Sequence, residues 1–231
     1  MAVTTVGTVI RNAKLVLQEV TAAGTRWTNE ELIGWLNEFY QAAVQLKPDA
    51  HSMNAEMTLS VGTRQQIPSD GLRLIDVVRN TVGGQMAVMV TSRRALDSTR
   101  RSWHSDTAAQ QIEQYMFDDL DPTHFYVYPP AANGAKLEII YSAVPTPHNA
   151  SSGLNAIQNE AFKLNDAYVP VATDYILYRA YSKDAEHAAN LNRAQMHMQA
   201  YMGALGQKVQ TDQRISPNTP DSSSNPPRTR Q

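Results

Sequence analysis

Four groups of side chains in this 231-residue sequence have the types that chemistry requires. Asp118, Asp119, Asp121 and His124 place oxygen and nitrogen donors close together, a set that a hard divalent cation accepts. The alternating acidic spacing and central glycine of a calcium loop are absent, however. Asp121-Pro122 between apolar flanks is the chemistry of a turn, and a turn is the expectation. Asp184, Glu186 and His187 offer a carboxylate-oriented base. No nucleophile or second ligand follows them at helical spacing, so charge pairing on a solvated helix face accounts for them. Arg93, Arg94, Arg100 and Arg101, followed by Trp103 and His104, form a basic stretch with one aromatic. It is the one local feature suited to phosphate, although Asp97 and Asp106 dilute its charge. It reads first as a solvated or partner-contact loop and second as a contact to DNA. Asn149-Ala150-Ser151 has the form of a glycosylation sequon, expected to be silent because no export signal precedes it.

No other motif supplies a reaction centre. The sequence has no H-E-x-x-H and no G-x-S-x-G, and Gly83-Gly84 lacks the spacing of a phosphate-binding loop. The absence of cysteine removes thiolate nucleophiles, disulfides and cysteine-ligated zinc. The expectation is a protein that is not an enzyme, with no catalytic residue, metal or cofactor. A net charge of −2 gives no global field to draw nucleic acid or an anionic membrane, and no stretch is long and apolar enough to span a bilayer.

The elements around these groups follow from periodicity. Val6, Val9, Ile10, Ala13, Val16, Leu17 and Val20 recur at helical spacing, with Gly24 as the stop. Thr28-Asn-Glu-Glu31 is a capping box opening a second helix, whose stripe of Leu32, Trp35, Leu36, Phe39, Ala43 and Leu46 ends at Lys47-Pro48. From Ala55 the period shortens to two. Met57, Leu59 and Val61 predict one strand, a hairpin turns at Gly83-Gly84, Ser92 caps a short helical turn, and residues 97–110 read as a loop. The acidic turn separates two further strands, and residues 135–145 form another. Beyond Pro170, a stripe from Leu177 through Tyr181, Leu191, Ala194, Met198 and Met202 to Leu205 predicts a long helix, bent or broken near Lys183-Asp184. The closing Pro/Ser-rich segment lacks apolar mass and reads as extended. The fold class expected is α+β: a helical bundle from residues 1–50 and 158–209, a mostly antiparallel insertion of five or six strands over 55–145, and a tail over 210–231.

Residues 169–206, V-P-V-A-T-D-Y-I-L-Y-R-A-Y-S-K-D-A-E-H-A-A-N onward, resemble the C-terminal helical signature of tailed-bacteriophage head-to-tail adaptor (connector) proteins. Asp174, Tyr175, Leu177 through Ala189, and Arg193-Ala194 carry the match. Residues 27–50, from Trp27-Thr28 to Lys47-Pro48-Asp49-Ala50, are similar to the same family's opening helix. The resemblance implies a virion subunit assembled in the host cytoplasm. It implies a homo-oligomeric ring, typically of twelve copies, beneath a portal protein and above a tail, nozzle or tube protein. The resemblance further implies that this ring forms part of the genome conduit, where transient contact with passing DNA is the expectation. It also implies that the tail, with Arg214, Ile215, Pro217, Pro220, Pro226, Pro227, Arg228 and Arg230, grips the portal.

Overall fold

A computed structural model of the chain describes residues 4–215 other than Val20, Asp119, Ala185 and His187, with backbone alone at Ala188 and 208–215. The elements in chain order are α1 (Val6–Leu17), α2 (Asn29–Leu46), β1 (Ser52–Thr58), β2 (Gly62–Gln66), β3 (Gly71–Asn80), β4 (Met89–Val90) and α3 (Arg93–Thr99). They continue with β5 (Gln114–Phe117), β6 (His124–Ala131), β7 (Lys136–Ala143), α4 (Leu154–Ile157), α5 (Val169–Lys183) and α6 (Ala188–Ile215). This is the α+β class expected. The chain forms two units: one takes residues up to Leu36, Ala150–Glu160 and those from Ala167 on, and the other takes Asn37–Asn149 and Ala161–Asp166.

In the helical unit, Thr5 caps α1 by accepting the Thr8 amide at 3.4 Å, and Val6, Val9, Ile10, Ala13 and Leu17 are buried. The helix ends at Gln18, in the left-handed conformation at φ 56°, earlier than the apolar spacing predicts, and Val16 is exposed. Side chains hold the following turn and compete with helix continuation. Lys14 Nζ donates to the carbonyls of Thr21 (2.8 Å) and Ala22 (3.1 Å), and Glu19 accepts the Arg26 amide (3.0 Å) and the Thr21 hydroxyl (2.8 Å). Gly24, at φ 86°, belongs to that turn and does not stop the helix. The capping box forms as spaced: the Glu31 amide donates to Thr28 Oγ1 (3.3 Å) and the Thr28 amide to Glu31 Oε2 (3.0 Å).

The long C-terminal helix is two helices. α5 ends at Lys183, close to the expected break, and α6 folds back along it as an antiparallel hairpin, so the two do not form one rod. Tyr175 meets Tyr201 edge-on at 5.2 Å, and Tyr181 stacks on His197 at 5.8 Å. The apolar stripe read from the sequence therefore mixes two faces of α6. Ala194, Tyr201 and Leu205 are buried, while Leu191, Met198 and Met202 stay exposed. α6 continues to Ile215, past the expected start of the extended tail.

The other unit packs two sheets, ordered β1-β7-β3 and β2-β6-β5-β4, antiparallel except for the β4–β5 pair. Leu74, Val77, Leu137, Ile139 and Tyr141 from the first face Tyr115, Phe125 and Val127 from the second in one buried cluster. One reading changes here. The strand read on Met57, Leu59 and Val61 is not one strand: the chain crosses from β1 in one sheet to β2 in the other. The hairpin turn at Gly83-Gly84 forms, with Arg79 bridged antiparallel to Ala87, and beyond it the chain crosses into the opposite sheet as β4. The buried amides explain both crossings. Gln65, 1% exposed, binds the Ser60 amide and the Ser60 and Gly62 carbonyls at 2.8–3.0 Å. Asn80, wholly buried, donates to the Met86 (3.0 Å) and Ile112 (2.8 Å) carbonyls and accepts the Ile112 amide (2.7 Å). These crossings leave backbone groups off the ladders, and the amides satisfy them.

Candidate functional site

The basic stretch is more ordered than a loop. Arg93 and Arg94 open α3, and Trp103 starts a short 3-10 turn. Trp103 is 0% exposed. Its ring lies 3.6 Å from that of His104, meets Tyr126 and Tyr128 edge-on at 6.1 and 6.5 Å, and donates Nε1–H to Asp97 Oδ1 at 2.8 Å. It is the anchor of this segment, so it is not a free platform for a base. Arg93 faces Asp97 (3.9 Å) and the Tyr126 ring (5.8 Å). Arg100 pairs with Asp106 (2.8 Å) and donates to the Tyr128 hydroxyl (2.9 Å). Arg94 and Arg101 remain exposed and form no ion pair among the described residues.

The acidic turn and the start of α3 lie together around a cleft of about 520 Å³, lined by Arg93, Arg94, Asp118, Asp121, His124 and Tyr126. Asp118 Oδ1 accepts the Leu120 amide at 3.0 Å, closing the turn. His124 Nδ1 donates to Asp121 Oδ1 at 2.9 Å. That bond, with a smaller contribution from Arg64, holds the Asp121 carboxyl below its usual range. Charges of both signs line the cleft. No group of three or more His, Asp or Glu side chains suited to a metal ion occurs among the described residues. Asp119 lies outside them.

The charged residues of the helical unit serve its packing. Asp184 pairs with Arg26 and accepts the Asn190 side chain at 2.6 Å, and Lys183 pairs with Glu31 at 2.6 Å. Glu186 forms no ion pair among the described residues, and His187 lies outside them. A histidine–carboxylate pair does exist, at residues the spacing did not mark. His197 Nδ1 lies 2.9 Å from Asp174 Oδ1, and with the Tyr181 stack and Arg193 over the Tyr181 ring (5.6 Å) it ties α6 to α5. Only the hairpin brings these residues together, because they stand 23 apart in sequence. Burial pushes the Tyr201 hydroxyl up to about 12. In the sheet unit, burial and then the bond to Asp76 (2.8 Å) raise the Tyr115 hydroxyl.

Of the tail residues, Arg214 and Ile215 form the end of α6. Pro217, Pro220, Pro226, Pro227, Arg228 and Arg230 lie outside the described residues.

Histidines, carboxylates and buried amides in both units thus hold turns and tie elements together, the arrangement of a structural α+β subunit. The chain matches the model of the SU10 adaptor protein family over residues 4–221. It belongs to that family, and its class is that of a bacteriophage structural adaptor. No curated protein matches it. Among the described residues, no helix is long and apolar enough to cross a membrane.

Proposed function

We propose that this chain is the head-to-tail adaptor subunit of a tailed phage, forming a ring of about twelve copies between the portal and a tail, nozzle or tube protein. The family match along residues 4–221 is the observation that carries this reading. The composition of α6 supports it. From Ala188 to Thr211 the helix has no acidic residue, and Leu191, Met198 and Met202 are exposed. A charge-poor apolar face loses little on desolvation and suits packing between subunits. Closed rings need two different complementary patches on each copy. Leu15 and Val16, exposed at the end of α1, supply a second apolar patch in the same unit.

The residues from 216 onward, with Arg228 and Arg230, would grip the portal in this reading. Deleting residues 216–231 should leave the melting temperature nearly unchanged and weaken portal binding. Native mass spectrometry of the chain mixed with its portal tests the whole reading. Portal-bound multimers of one defined size support it, and a chain that stays monomeric beside the portal contradicts it. The alternative use, a DNA contact by the 93–104 segment, rests on Arg94 and Arg101 and is compatible with a conduit. Salt-independent or undetectable DNA binding removes it.

A further inference from the structure

A sheet edge is a row of unpaired amides and carbonyls, and proteins usually blunt it. Three of the four edges here are blunted. β3 carries register shifts at Gly71/Arg73, Leu74/Asp76 and Val77/Arg79, and takes further backbone bonds at Leu74, Val78 and Asn80. β2 has a shift between Gly62 and Arg64. β4 is two residues long. β1 has none of these devices. Its seven residues, Ser52–Thr58, pair with β7 in one unbroken register, and they include no proline, lysine or arginine.

The polar groups it leaves open can be named. Leu59 N–H donates to Ala135 O in the same register as the strand, so Met53, Ala55 and Met57 share the hydrogen bonds to β7. The amides and carbonyls of Ser52, Asn54, Glu56 and Thr58 therefore point away from the sheet. No backbone group of the described residues meets the amides of Asn54, Glu56 and Thr58. On the core side, Ala55 and Met57 pack on the buried cluster, and Met53 is 40% exposed.

The geometry points to a second copy of this chain as the occupant, its β1 laid antiparallel against this one about a two-fold axis at Ala55. The sequence Ser-Met-Asn-Ala-Glu-Met-Thr is self-complementary in that register. Asn54 falls opposite the second copy's Glu56, Met53 opposite its Met57, and Ser52 opposite its Thr58. Every facing pair at Asn54 and Glu56 has its amide and carbonyl turned outward, so the hydrogen bonds close without a slip. A shift of two residues either way shortens the overlap, and in one direction it also sets Glu56 against Glu56, so the full overlap selects the register. On the outer sheet face, Lys136 already neutralises Glu56 (2.7 Å), and Asn54 donates to Glu138 (2.9 Å). The result is one six-stranded sheet across two copies, β3-β7-β1 continued by its two-fold mate. A two-fold pairing does not close a ring, so this contact belongs to the subunit before it docks and keeps the open edge covered until then.

Because the sequence has no cysteine, single cysteines test the register cleanly. The facing Ala55 residues form a non-hydrogen-bonded pair, whose Cα separation of about 4.5 Å suits a disulfide. Ala55→Cys should cross-link to twice the 25.6 kDa chain mass under mild oxidation. Met53→Cys should do so only when mixed with Met57→Cys. Light scattering of the unmodified chain should show a weak, concentration-dependent dimer that Glu56→Pro abolishes. That proline removes an outward amide and leaves the β7 ladder intact, so the circular dichroism spectrum should not change. The proposal is overturned by a mass of one chain at every concentration, by Ala55→Cys cross-linking no faster than Met53→Cys alone, or by a dimer indifferent to Glu56→Pro. A free chain that never links through Ala55→Cys, yet assembles into a defined multimer on the portal, overturns the pairing while leaving the adaptor reading intact.

Discussion

Replacing Trp103 separates an anchoring role for the arginine-rich segment from a nucleic-acid platform. The side chain is fully buried against His104, Tyr126 and Tyr128, and its indole N–H is spent on Asp97. Truncating a buried tryptophan to alanine costs about 3–5 kcal/mol from lost transfer energy and the cavity left behind. At roughly 2–4 °C per kcal/mol for a chain of this size, Trp103→Ala lowers the melting temperature by about 6–20 °C. Trp103→Phe keeps most of the aromatic contact and loses chiefly the bond to the half-exposed Asp97, about 1.5 kcal/mol, or roughly 3–6 °C. Thermal melts followed by far-ultraviolet circular dichroism measure both, and fluorescence anisotropy on labelled duplex DNA runs alongside on the same variants. A buried anchor gives the ordered loss Ala, then Phe, then unmodified chain. Trp103→Ala with an unchanged melting temperature but lower DNA affinity would refute the reasoning, since only an exposed stacking platform behaves that way.

Other perturbations probe the remaining contacts. Thr28→Ala removes the capping box of α2 and should cost about 1 kcal/mol in urea denaturation, whereas Thr28→Ser should cost little. Glu19 is held at about 2 by the Arg26 amide, the Thr21 hydroxyl and the Thr25 amide, below its ordinary 4.5. Its folded value is depressed, so its stabilisation is present above pH 4.5 and fades as pH falls toward 2. Acid melts of the unmodified chain and Glu19→Ala should therefore differ at pH 6 and converge near pH 2; a difference that persists at pH 2 contradicts this. Asn80→Leu strands the buried Ile112 amide and carbonyl and should destabilise the sheet unit by about 1–3 kcal/mol, measured by urea titration.

Local signals in the sequence translate directly into structure where the interaction is itself local. The Thr28–Glu31 box closes over three residues, and the Asp121-Pro122 turn forms where its chemistry places it. The class α+β follows from a change of period near Ala55. The burial of Trp103 does not follow, because residues 97–110 have no period and the partners of the indole, Tyr126 and Tyr128, come from a strand more than twenty residues away. The stripe on α6 misleads for a related reason: α6 folds back along α5, so the face against α5 is rotated away from Met198 and Met202. Asn80 and Gln65 look like ordinary polar positions in alternating strands. Their burial follows from the chain changing sheets beside them, which a period of two does not encode. The His197–Asp174 pair likewise exists only once the hairpin forms.

Imaging the head-to-tail junction of the particle by electron cryomicroscopy tests the central claim most directly. The adaptor account predicts a closed ring of about twelve copies of this chain seated on the portal, with α6 at the contacts between neighbours. A junction whose density beneath the portal is built from other chains, with this one absent or present as scattered single copies, contradicts it.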